Sequence, residues 1–227
     1  MEMNLKIIGT SHISRQSIKE VEEAIFDFKP EIIAVELDLP RYQVLVSGKR
    51  KGISLGDIKH IGIKGFLFAL IGEYVERKLG EKVKTKPGAD MLSAIKTAKK
   101  MNLKIALIDQ PIQITLQRFS KKLSWKEKWN FVVDLVKGIF FGKKQMREMG
   151  LENFDLSKVP AKEVIKKIMD FAKKRYPNLY SVLVDERNVY MASQLRMIMQ
   201  QNPDQRILAV VGAGHEEGIS KILGQSL

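Results

Sequence analysis

The chain contains no cysteine. Disulfides, thiolate metal sites and cysteine nucleophiles are thereby excluded, and any metal has to be held by His, Asp or Glu. Histidine is scarce too, with three in 227 residues. No apolar run approaches the ~20 residues that a membrane-spanning helix needs. The N-terminal MEMNLKIIGT has too short an apolar run, with Glu2 ahead of it, to read as a signal peptide. A cytoplasmic or membrane-associated chain is expected. Acidic residues are in deficit, 26 against 39 Lys and Arg, a formal charge of +13. That excess favours phosphates, anionic lipid headgroups and acidic peptides. The lysines are spread over many segments without an RNA-binding motif, so nucleic acid is not the expected partner, whereas an anionic membrane surface is a candidate.

Apolar residues are plentiful, at 44%, enough for a core of domain size. Four short apolar runs read as buried strands: Leu5–Gly9, Ile32–Leu37, Lys104–Asp109 and Ile207–Gly212. Their continuous rather than alternating apolarity suits a parallel sheet covered on both faces. Helical periodicity lies between them. SRQSIKEVEEAIFDF places Ile18, Val21, Ile25 and Phe28 on one stripe, with Ser17 and Glu20 spaced as a capping box. DMLSAIKTAKK is a second helix, and GFLFALIGEYVERKLG, within residues 47–86, a third. Residues 111–200 read as almost wholly helical. The expected architecture is α/β: a mainly parallel central sheet flanked by helices, in a single domain over 1–227, with a helical cap or insertion at about 111–200. Within that insertion SWKEKWNFVVDLVKGIFF sets Trp125, Trp129, Val132, Val133, Val136 and Phe140 along one broad face. It reads as a cap helix packed on the core, or else as an interfacial helix for anionic lipid.

Ligands of open parallel sheets bind outside the carboxyl ends of the strands. Each predicted strand carries candidates there: His12 after the first, Glu36 and Asp38 after the second, Asp109 after the third, and His215, Glu216 and Glu217 after the fourth. Two of the three histidines close a Gly-x-x-His, in IIGTSHIS and VVGAGHEEGIS, and a parallel sheet brings such distant turns together. Gly9, Gly212 and Gly214 allow tight turns or close approach. Two imidazoles with carboxylates suit Mn, Fe, Co or Zn, or acid–base chemistry without metal. Glu36 has a second reading, as a salt bridge to Arg41 one turn on, and Asp109 as a cap of the next helix. His60 lies off any strand end and reads as surface. In Asn178–Gln200, uniform helical spacing puts Leu179, Val182, Leu183, Val189, Tyr190 and Met197 on one face, with Glu186 in its middle and Arg187 near its edge. Both are expected to pair as structure or to face the site.

Taken together, GTSHIS, PEIIAVELDLPR, PGADMLSAIKTAKKMNLKIALIDQPIQITLQR and DERNVYMASQL…VVGAGHEEGI resemble the TraB/PrgY pheromone-shutdown family and its metazoan TIKI relatives, over essentially the whole chain. The resemblance implies an α/β fold with its site between two halves, and a metal-dependent peptidase using manganese or cobalt, with zinc as a further choice. It places the metal ligands at His12, His215 and Glu36, and a functional arginine at Arg187. Glu216 is then a candidate base, and Arg41, Asp109 and Glu186 are supporting residues. A peptide or small molecule is the expected substrate; the rival reading is a protein that sequesters such a ligand without turnover. Where the family has Asp-Arg after the third strand, this chain has Asp109-Gln110, and Asp90 stands where the family has Glu. Many prokaryotic relatives continue into a membrane-spanning half, which makes the chain a candidate for the soluble part of a longer membrane protein.

Overall fold

A computed structural model describes residues 4–11, 15–48, 88–131, 133–134 and 162–224. His12, His60, the helix expected in GFLFALIGEYVERKLG, and the part of the Trp-bearing helix after residue 134 lie outside the described residues, as does Val132.

Four parallel strands form one sheet: β1 (Leu5–Thr10), β2 (Ile32–Val35), β3 (Lys104–Leu107) and β4 (Ile207–Gly212), in the order β1-β4-β2-β3. The two middle strands are buried along their whole length, which accounts for their unbroken apolar sequence. Alternate side chains serve opposite faces. Ile33, Val35, Leu208 and Val210 meet α1 (Arg15–Phe28) and α3 (Ala89–Lys100) through Val21, Ile25, Met91 and Ile95. Ile32, Ala34, Ile207, Ala209 and Val211 meet Met191, Ala192, Leu195 and Ile219 on the other side. Along the chain α2 (Leu39–Ser47) follows β2, and α4 (Ile112–Lys122) follows β3. The chain returns through α5 (Lys162–Arg175) and α6 (Pro177–Tyr180), then α7 (Glu186–Gln201), and after β4 closes with α8 (Ala213–Leu223).

The α/β class, the parallel sheet and the flanking helices agree with the sequence. Three local expectations do not. Ser17 lies inside α1 rather than capping it, and its hydroxyl accepts from the Ser11 N–H at 2.9 Å, tethering the chain just past β1. The tryptophans do not pack as a cap on the core: Trp125 is 83% and Trp129 70% exposed, with Lys128 Nζ 4.0 Å from the Trp125 ring. The third concerns the long helix. Residues Ser181–Asp185, between α6 and α7, form a π turn, in which the Glu186 N–H reaches back to the Ser181 carbonyl. One turn of wider winding breaks a face extrapolated at uniform spacing. Val182 is buried as expected, but Val189 and Met197 are exposed, and the buried stripe beyond the π turn is Asn188, Met191, Ala192 and Leu195. That stripe belongs to the core layer beneath the sheet, so α7 is part of the body of the fold. Among the described residues, no helix is long and apolar enough to cross a membrane.

Candidate functional site

The carboxyl edge of the sheet gathers charge that the core below it excludes. Glu36 directly follows β2 and is only 6% exposed. One of its oxygens, Oε2, accepts the Gly212 N–H at 2.6 Å, where β4 hands over to α8. A helix N-terminus thus stabilises the carboxylate. His215 sits in the first turn of α8, so the predicted Gly-Ala-Gly turn is a strand passing straight into a helix. Gly212 has an ordinary φ of −62°. The glycines serve close packing instead: a Cβ on Gly9 would lie 2.4 Å from Glu216 Oε2 and 3.0 Å from the Ala213 Cα.

Arg187 ties the edge together. Its Nη2 donates to Glu36 Oε1 and, at 2.6 Å, to Asp109 Oδ2. Nε donates to Asp109 Oδ1 at 3.0 Å. Nη1 donates to the Leu183 carbonyl at 3.2 Å and contacts His215 Nε2 at 3.0 Å. These are the five N–H groups that a guanidinium has. Nothing is left over to hold a substrate carboxylate or an oxyanion unless one of these bonds is given up. Burial works against the guanidinium, but the charges of Glu36 and Asp109 and their hydrogen bonds more than compensate and hold its pKa above the usual arginine value.

Asp109 lies two residues past β3 with its side chain fully buried. Burial pushes its pKa up; the hydrogen bond and charge of Arg187, joined by the charge of Arg41, pull it below the usual carboxylate value. Arg41 bonds Asp109 Oδ2 at 2.5 Å and Asp38 Oδ1 at 3.1 Å. Asp38 caps α2 through the Arg41 N–H and accepts the Ile112 N–H at 2.7 Å, locking the start of α4 to the same corner. Arg41 thus partners Asp38 and Asp109, while Glu36 takes Arg187. Gln110, which follows Asp109, turns its side chain inward and donates to the Thr115 hydroxyl at 3.0 Å. Arg187 and Arg41 supply the cations from elsewhere in the chain.

Glu186 does not join this cluster. It pairs with Arg118 at 2.8 Å and Lys122 at 2.6 Å on α4, which hold its pKa low against the opposing effect of burial. Of the adjacent residues on which the sequence reading centred, Arg187 points into the site and Glu186 out of it. The Glu216 carboxylate lies against Gly9 at the end of β1, and Glu217 is exposed. Asp90 is wholly buried at the start of α3 and accepts from the Thr10 hydroxyl at 2.5 Å. Sequence reasoning missed Asn188, whose Oδ1 lies 2.7 Å from His215 Nδ1. Its signal was there, as the polar member of the Asn188, Met191, Ala192, Leu195 spacing, but only once the face was counted from beyond the π turn.

Could this donor set hold a metal? Among the described residues no group of three His, Asp or Glu side chains is placed to do so. Two donors are: His215 Nε2 and Glu36 Oε1 stand 3.5 Å apart. Ligands at about 2.0–2.2 Å from one ion are separated by about that much. Because Arg187 can only donate, His215 Nε2 is the accepting nitrogen, which leaves its lone pair on the site side. The pair fits a divalent cation in spacing and tautomer, provided that Arg187 yields those two lone pairs. His12, the other imidazole expected here, lies outside the described residues.

Set beside known proteins, residues 3–226 match the model of the TraB/PrgY/gumN family. An uncharacterized protein of Methanocaldococcus jannaschii is 35% identical over 227 residues, 98% of this chain and 54% of that protein. TraB domain-containing proteins of mouse and human are 26% and 25% identical over 239 residues, 95% of this chain and 61% of theirs. The chain spans about half to three-fifths of the length of these curated relatives.

Proposed function

Because the chain belongs to the TraB/PrgY/gumN family, and because an imidazole and a carboxylate converge at its sheet edge, we propose that it is a hydrolase of peptide bonds, assisted by a divalent cation. The carrying observation is the 3.5 Å approach of His215 Nε2 to Glu36 Oε1, from two segments nearly 180 residues apart. His215 and Glu36 would hold the cation, with His12 as the third ligand expected from the sequence. Manganese, cobalt or zinc there would supply Lewis acidity to a carbonyl oxygen and to an attacking water. The protein's own groups do the rest. Gly212 N–H fixes the orientation of Glu36. Arg187 and Arg41 keep Asp109 ionised and anchored, so that the edge stays rigid as charge is moved. Glu216, at the end of β1, is the candidate to accept a proton from the attacking water.

A second reading, capture of a peptide or small ligand without turnover, draws support from one feature: the Arg187 network is already closed on itself, as in a site built for shape rather than chemistry. The two are separated by incubating the protein with a mixed peptide library, in added Mn2+, Co2+ or Zn2+ and in chelator, and reading products by mass. Cation-dependent cleavage that disappears in Glu36→Gln is the expected result. Retention of peptides with no cleavage under any of the three ions would replace the hydrolase with the binder.

A further inference from the structure

The Asn188 side chain lies between α7 and α8, 5% exposed, and its partner His215 is 7% exposed. Arg187 Nη1, 3.0 Å from Nε2, has only protons to offer, so Nε2 accepts and the neutral ring carries its proton on Nδ1. Only an oxygen can face that proton at 2.7 Å, which fixes the amide with Oδ1 toward the ring and Nδ2 away from it. The amide has a slot made for it. A Cβ on Gly218, one turn beyond His215 on α8, would fall 2.2 Å from Asn188 Nδ2 and 3.0 Å from its Cγ. Any side chain there drives Asn188 off its position. The π turn matters as well, because the buried stripe of α7 begins with Asn188 directly after it.

We propose that Asn188 is the positioning residue of the site: it fixes the tautomer and the plane of His215, so that the Nε2 lone pair remains on the Glu36 side when a ligand displaces Arg187 from it, and Gly218 exists to admit it. The hydrogen bond made by one ring nitrogen decides what the other can do. Without Oδ1 a buried Nδ1–H loses its acceptor, which is unfavourable because nothing replaces the lost hydrogen bond. Once Arg187 Nη1 has left Nε2, the ring then gains by moving its proton to that nitrogen, 3.5 Å from Glu36 Oε1. That tautomer has no lone pair to give the site. The consequence for cation affinity rests on the hydrolase reading above; the tautomer does not.

The test is nitrogen NMR of protein labelled at histidine, with His215 assigned by His215→Gln, alongside calorimetric titration with Zn2+. Wild type is expected to show one species, protonated at Nδ1. Asn188→Asp keeps an acceptor and should keep that spectrum. With Arg187→Met as the background, which alone should keep the Nδ1–H form, Asn188→Leu and Gly218→Ala should both populate the Nε2–H form; with Arg187 present each should lower Zn2+ affinity roughly 10–100-fold. Folded Asn188→Leu or Gly218→Ala protein in the Arg187→Met background with an unchanged His215 spectrum overturns the proposal. Gly218→Ala decides the matter if Asn188→Leu does not fold. Should Zn2+ fail to bind even wild type, the cation reading falls while the spectra still decide the role of Asn188.

Discussion

Two buried glutamates in this protein are kept in opposite ways. Glu127, 2% exposed, is held by neutral donors: the Ser124 N–H and hydroxyl, the Asn178 N–H and side-chain amide, and the Leu179 N–H. It reciprocally caps its own helix and the start of α6, two helix N-termini with one carboxylate. Among the described residues Glu36 takes one backbone donor, Gly212, and on its other oxygen the end of an arginine side chain from α7. Backbone N–H groups cannot leave without unwinding a helix, whereas a guanidinium can swing aside. The first arrangement is a joint; the second can exchange one cation for another.

The sharpest way to break the contrast is Arg187→Met. Glu36 and Asp109 would stay buried without their shared cation, at a cost of about 3–5 kcal/mol in chemical denaturation. If the edge takes a divalent ion, millimolar Mn2+ or Zn2+ should restore part of that loss; no recovery would favour the binder. Glu127→Gln comes next. Burial pushes the Glu127 pKa up, but the Ser124, Asn178 and Leu179 donors bring it from about 4.5 down to about 2. A depressed folded pKa stabilises above the unfolded value, and the contribution drains away as pH falls through the folded one. Wild type should therefore exceed Glu127→Gln by on the order of 3 kcal/mol at pH 7, with the gap closing between pH 4.5 and 2. No metal should affect this variant. Gly9→Ala tests a carboxylate positioned by shape: the new methyl presses on Glu216 and on the Ala213 backbone. A loss of about 1–3 kcal/mol is expected on thermal melting. Smallest is Glu186→Gln. Its partners Arg118 and Lys122 are about half exposed, so the change should be under about 1 kcal/mol, shrink in salt and spare activity.

Much of this is legible in the sequence. Ile207–Gly212 was read with the bounds observed, because a strand buried on both faces advertises itself as a continuous apolar run. Glu36, Asp109 and His215 were placed on one edge because parallel topology leaves strand ends nowhere else to be. The partners of those groups were not legible. Arg187 reaches Asp109 across 78 positions, and nothing local in DERN marks which of its polar residues turns inward. Uniform winding favoured Glu186; a π turn, with no strong sequence signature, moved Arg187 and Asn188 there instead. Likewise, Ser17 and Glu20 have the spacing of a capping box, but α1 starts two residues ahead of Ser17, and that serine was needed to tether the chain beyond β1.

The strand order also bears on how the protein is made. β4 comes last of the four from the ribosome, yet it lies between β1 and β2. Until residues 207–212 emerge, both earlier strands present unpaired backbone toward the gap, and that is an invitation to the wrong partner. The nascent chain must therefore wait with an open seam. Long-range pairing of this kind folds slowly, since the ends of a long segment must meet before any contact rewards them. A chain stopped before β4 should be captured by chaperones or aggregate, and one carried past it should close and release.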